Sequence, residues 1–101
     1  MEIHIRKNGV DADEVQIEAQ IEKELDRFAE RLTRVDLHLR DENAQKGGRD
    51  TRCTIEARPR GGDPIAVDEL AMNAKDAVPG ALGKLVRTLD SRFGKLDDAR
   101  R

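Results

Sequence analysis

Apolar and polar residues alternate strictly in three stretches of the chain. Met1, Ile3 and Ile5 alternate with Glu2, His4 and Arg6; Val35, Leu37 and Leu39 with Arg34, Asp36, His38 and Arg40; Cys53, Ile55 and Ala57 with Arg52, Thr54, Glu56 and Arg58. A period of two is the mark of a strand with one dry and one wet face. A polar stretch from Asp41 to Asp50, containing Lys46-Gly47-Gly48, separates the second and third runs. Together they predict a long antiparallel hairpin between Leu32 and Arg58 at the centre of a small sheet. Pro59-Arg60-Gly61-Gly62-Asp63-Pro64 predicts a second turn. Ile65 and Val67 then form a short fourth strand, which Pro64 places at an edge.

Two further stretches repeat at helical spacing. Ile17, Ile21, Leu25, Phe28 and Leu32 mark one face of a first helix, and Asp13 with Gln16 has the spacing of a capping box at its start. Val78, Leu82, Leu85, Leu89, Phe93 and Leu96 mark a second helix, with a candidate cap at Asn73 and Asp76 three residues on. Pro79-Gly80 falls early in it. Proline beyond the first turn removes a hydrogen bond and costs about 3 kcal/mol, so either the helix kinks there or its regular part begins at Pro79. The order strand, helix, strand, strand, strand, helix predicts an α+β fold: a four-stranded mixed sheet with two helices packed on one face. Residues 1–101 are expected to form a single domain around one core.

Composition narrows the function classes. Hydrophobic residues make up 37% of the chain, enough when each element buries a single face, and charged residues 40%. The formal charge is −2, so a nucleic-acid role would rest on how charge is distributed. The single cysteine excludes an internal disulfide and fits a reducing, cytoplasmic location. No apolar run approaches the ~18 residues of a membrane span, and strand-like sequence from Met1 leaves no room for a signal peptide.

Catalysis is not expected. His4 and His38 occupy outward strand positions and Cys53 an inward one, so they cannot form a Cys–His pair. Two histidines without a third ligand make a weak metal site. No hydrolase, kinase or dinucleotide motif occurs, and Gly61-Gly62 is not followed by the helix a phosphate loop needs. No cofactor and no small-molecule substrate are expected. Aromatic content is 2%, only Phe28 and Phe93, both on apolar stripes, which disfavours base stacking and leaves recognition of a nucleic-acid backbone.

The cations for such recognition lie on the helices. On a wheel of about 100° per residue, Lys23, Arg27 and Arg31 form a basic strip on the first helix, opposite an acidic flank of Glu18, Glu22, Asp26 and Glu30. Lys84, Arg87, Arg92 and Lys95 form a basic strip on the second helix. Each basic strip lies about 120° to 130° from its apolar stripe, in the same sense, so parallel helices would lean both toward one surface. The plainer reading is a solvated face with i,i+4 pairs.

Three segments carry a resemblance: Arg31-Leu32-Thr33-Arg34-Val35-Asp36-Leu37-His38-Leu39, Arg52-Cys53-Thr54-Ile55-Glu56-Ala57-Arg58, and Lys84-Leu85-Val86-Arg87-Thr88-Leu89. They resemble the ribosome hibernation-promoting factor family, also called ribosome-associated translation inhibitors, ribosomal subunit interface proteins or sigma-factor modulation proteins. The resemblance runs over nearly the whole chain and implies the same β-α-β-β-β-α order. It implies binding to the small ribosomal subunit through ribosomal RNA in the mRNA and tRNA channel, with silencing of translation in stationary phase or stress. Lys84 and Arg87 match family positions that face ribosomal RNA. The match is to the short form, without the C-terminal dimerisation domain of longer members. The acidic flank of the first helix supports an alternative, a protein-interaction or regulatory module on the same fold.

Overall fold

The structure, a computed structural model, describes the backbone of residues 1–42 and 50–99 and the side chains of these residues up to 94. The Lys46-Gly47-Gly48 turn, Arg100, Arg101 and the side chains of Lys95 and Leu96 lie outside the described residues. The elements are β1 (Glu2–Asn8), α1 (Glu14–Glu24), a 3-10 segment (Asp26–Arg31), β2 (Leu32–Asp41), β3 (Thr51–Pro59), β4 (Ile65–Ala71) and α2 (Ala74–Ala99). They form a four-stranded sheet in the order β1-β2-β3-β4, with β1 parallel to β2 and the other pairs antiparallel. This is the α+β arrangement the alternation predicts.

The register aligns the apolar rows across the sheet. Leu37 pairs with Ile5 on one side and Ile55 on the other, and Ile55 pairs with Val67. Val35, Leu37, Leu39, Cys53, Ile55 and Ala57 are buried with Ile17, Ile21, Leu25 and Phe28 from one helical side and Val78, Leu82, Leu85, Leu89 and Phe93 from the other. Leu32 and Val35 both point inward although three positions apart, because the register slips between Leu32 and Arg34. Such a bulge places one extra residue on the wet side. Here it is Thr33, whose hydroxyl donates to the Arg58 carbonyl at 3.0 Å.

Two boundaries differ from the sequence expectation, and at the start of the second helix the candidate cap at Asn73 holds. The first helix ends at Glu24, and Leu32 belongs to β2 rather than to a helical stripe. After Leu25 the chain tightens into the 3-10 segment, in which the Phe28 amide donates to the Leu25 carbonyl three residues back at 2.9 Å. A 3-10 turn stacks residues three apart, so Leu25, Phe28 and Arg31 share one side. The second helix starts at Ala74 and runs unbroken through Pro79, capped by Asn73, whose Oδ1 accepts from the Asp76 amide at 2.9 Å. The lost hydrogen bond falls on the carbonyl of Lys75, an exposed residue that water can reach. Strand β4 extends to Ala71, which turns Glu69 toward the helices. Lys84 meets it there, with Nζ 2.8 Å from Glu69 Oε1 and 2.8 Å from the Asp68 carbonyl oxygen, to which it donates. An inward carboxylate and a covered carbonyl guard β4, which is an edge strand, against pairing with another chain.

Candidate nucleic-acid interface

Helices α1 and α2 run in the same direction across the sheet. Their first turns share a cleft lined by Asp13, Gln16 and Ile17 from one and Ala74, Lys75 and Val78 from the other. Further along, Phe28 meets Phe93 with ring centroids 5.8 Å apart and planes tilted by 40°. The parallel condition for a joint basic surface is therefore met. The basic residues nonetheless fall into two groups.

Arg27 and Arg31 sit on the 3-10 segment, not on a helix shared with Lys23, so the strip expected at i, i+4, i+8 does not form. Arg27 reaches α2 and grips Asp90 with both guanidinium nitrogens, Nη2 at 2.7 Å from Oδ2. That hydrogen bonding raises the Arg27 pKa above its ordinary value and holds the Asp90 carboxyl below the usual carboxylate range. Arg27 also lies 4.3 Å from the Phe28 ring centroid, and Arg31 lies 4.0 Å from that of Phe93. Both guanidiniums thus close the seam between the 3-10 segment and α2. Lys23 is exposed on α1 and makes no hydrogen bond or ion pair among the described residues.

The α2 residues lie on the other flank, beside β4. Lys84 is engaged by Glu69 and Asp68, and Arg92 donates to the Asp63 carbonyl at 3.2 Å. Arg87 shares a shallow groove with Val67, Asp68 and Thr88 and makes no hydrogen bond or ion pair among the described residues. The Lys95 side chain is not described. The structure therefore brings Arg27 and Arg31 together in one place and Lys84, Arg87 and Arg92 in another, with the body of α2 between them. Glu18, Glu22, Asp26 and Glu30 are all exposed, as the wheel predicts.

Two solved structures share this architecture. A ribosomal subunit interface protein from Coxiella burnetii superposes with a TM-score of 0.74 at 15% identity, over 93% of this chain and 99% of its own. The Protein Y N-terminal domain from Thermus thermophilus superposes with a TM-score of 0.64 at 21% identity, over 92% of this chain and 99% of its own. The fold is theirs. No family model matches the sequence, and no curated protein matches it.

A second set of cations, outside the helix strips, lies on the open face of the sheet. Arg6, Arg34, Arg40, Arg52 and Arg58 all project there, with His4 and His38. The signal was in the alternation, which assigns every second residue of β1 to β3 to that face. His4 and His38 are diagonal neighbours, since the register sets His4 against Asp36 and Arg6 against His38. His38 Nε2 lies 2.5 Å from Asn8 Oδ1. Burial, then the nearby Arg6 and Arg40, push the His38 pKa down. Cys53 lies on the buried face, where desolvation pushes its thiol up to about 12. Among the described residues no three His, Cys, Asp or Glu side chains form a metal-ligand set, and no helix is long and apolar enough to cross a membrane.

Proposed function

We propose that this chain associates with the ribosome as a translation inhibitor, docking on small-subunit ribosomal RNA and obstructing the mRNA and tRNA path. The observation that carries the reading is the near-complete two-way overlap with a ribosomal subunit interface protein, 93% of this chain and 99% of the other. The basic residues add to it. Arg87 and Lys23 pair with no other described residue, Lys84 is held by Glu69 and the Asp68 carbonyl, Arg92 by the Asp63 carbonyl, and Arg27 and Arg31 at the helix seam.

The test is co-sedimentation with ribosomes at graded salt. Association should fall steeply as salt rises, because each neutralised phosphate releases counterions. Replacing Arg87 and Lys23 together by glutamate should weaken association by tenfold or more while the chain stays folded, since neither side chain pairs with another described residue. A folded double variant that sediments like the parent would refute docking through the helices. The exposed acidic flank of Glu18, Glu22, Asp26 and Glu30 favours a second reading, a protein-binding module. Migration with a soluble protein rather than with ribosomal subunits would select it.

A further inference from the structure

The two edges of the sheet are built differently. At one edge, Pro64 precedes β4, and the inward Glu69 is held by Lys84. Both devices discourage pairing with another chain. The other edge is β1, whose one neighbour in the sheet is β2. It has no proline, and its register with β2 runs without a bulge from Glu2 to Asn8. Every second N–H and C=O of an edge strand faces away from its neighbour. Among the described residues, no amide or carbonyl outside the ladder with β2 bonds to the main chain of Glu2–Asn8. The inward charge on this strand is Lys7, at its far end, where Nζ is drawn off to the Ala12 carbonyl at 2.7 Å. Ile3 and Ile5 stay half-buried, although Val35 and Leu37 opposite them on β2 are closed off from water.

The sequence of β1 is its own complement. In an antiparallel pair of two copies centred on His4, each residue opposes the one equally far on the other side of His4. Glu2 then meets Arg6 of the second copy, Arg6 meets Glu2, and Ile3 meets Ile5 on the helix side. Side chains directly opposite in such a pair have Cβ atoms about 4.5–5.5 Å apart, within reach of an ion pair. Centring the pair on Ile3 or Ile5 instead loses both charge pairs. Glu2 and Arg6 are exposed and available. Arg6 makes no hydrogen bond or ion pair among the described residues. The contact of Glu2 is with His4 on its own strand, at 3.6 Å. Arg34, opposite Glu2 on β2, is committed to Asp36 at 2.9 and 3.0 Å.

We infer that β1 is a docking edge for a second copy of this chain, the two strands pairing antiparallel about a two-fold axis at His4. The contact is isologous, so it closes on itself as a dimer and does not propagate. It joins two four-stranded sheets into one, completes the free ladder of β1 and brings the half-buried Ile3 and Ile5 against their counterparts. The flank of α2 that carries Arg87 lies beside β4, at the far edge, and stays open in the dimer. The inference therefore stands whether or not the proposed ribosome docking is correct.

The test is sedimentation velocity of the full chain at concentrations rising to the millimolar. A species of 11.3 kDa should give way to one of twice that mass. Arg6→Glu sets like charges against each other in both pairs and should weaken the dimer about tenfold. The swap E2R/R6E reverses both pairs and should restore it. Because the swap keeps the net charge of the parent, its rescue separates the register from overall repulsion. Circular dichroism checks that each variant is folded. Hydrogen exchange of the β1 amides in the unaltered chain gives a second readout, and it should slow as concentration rises. A chain that stays monomeric throughout would overturn the inference. So would a dimer that Arg6→Glu leaves intact, or one that the swap fails to restore.

Discussion

Gly80 is small because Glu69 occupies the space beside it. A Cβ on Gly80 would overlap Glu69 Oε2 and lie 2.8 Å from its Cγ, far inside contact distance. In a helix, alanine is favoured over glycine by about 1 kcal/mol. Gly80→Ala should therefore forfeit that gain in the native chain, because Glu69 must swing away from Lys84. With Glu69 replaced by alanine, the same change should stabilise by about 1 kcal/mol. A double-mutant cycle in urea checks the sign, and equal effects in both backgrounds would mean that Glu69 is not the obstacle. Two titratable residues give sharper readouts. Cys53 is fully buried with its thiol pushed up to about 12, so it should resist thiol reagents at pH 8 in the folded chain and react completely in guanidinium. His38 is faced by Arg6 and Asn8 from β1 and Thr54 from β3, with Asp36 and Arg40 beside it on β2. Its folded pKa is depressed, so folding favours the neutral ring. That contribution is present above the unfolded value of about 6.5 and is lost as pH falls toward the folded pKa. Ring-proton NMR should find the midpoint below 6.5, and His38→Gln should flatten the acid limb of stability near pH 6.

At the scale of elements, the sheet was more legible than the helices, for a geometric reason. A period of two admits one reading, and the alternation placed the side chains of residues 34–40 and 52–58 on their correct faces, though Leu32 was assigned to the helix and Glu69 to no strand. The end of the first helix was not legible, because Leu25 and Phe28 share a side at 3.6 residues per turn and at 3.0 alike. The pattern could not tell an α-helix from the 3-10 segment that displaces Arg27 and Arg31. At Pro79 the sequence left two starts open, and the candidate cap at Asn73 is the one used: the helix starts at Ala74. A strong cap and the burial of Ala77 and Val78 outweigh one missing bond to an exposed carbonyl. Pro79→Ala should consequently stabilise the chain, but by less than the ~3 kcal/mol of a buried helical proline, since the change also frees the unfolded chain by roughly 0.4–1 kcal/mol. Urea unfolding measures the difference, and a loss of stability would show that Pro79 sets the helix path.

For the molecule as a whole, the helix wheels gave directions for the cations but could not give their partners. Arg27 was a candidate because it points away from the core, and it does, but α2 places Asp90 in its path. A carboxylate that grips an arginine with both oxygens occupies the donors a phosphate would use. On the proposed function, Asp90 thus restrains ribosome binding as well as joining the 3-10 segment to α2. Asp90→Asn removes the charge and leaves an amide of similar size, while the contact between Phe28 and Phe93 continues to hold the seam. Arg27 is then free to reach RNA. Ribosome association at fixed salt should tighten severalfold. Because each added phosphate contact steepens the dependence on log salt by about 0.7–0.9, the slope should grow by nearly one. Co-sedimentation across a salt series measures both quantities on the same samples. Tighter binding with an unchanged slope would mean that the gain comes from removing a repulsive charge, with Arg27 still at the seam. No change in either would confine the Arg27–Asp90 pair to holding the fold together.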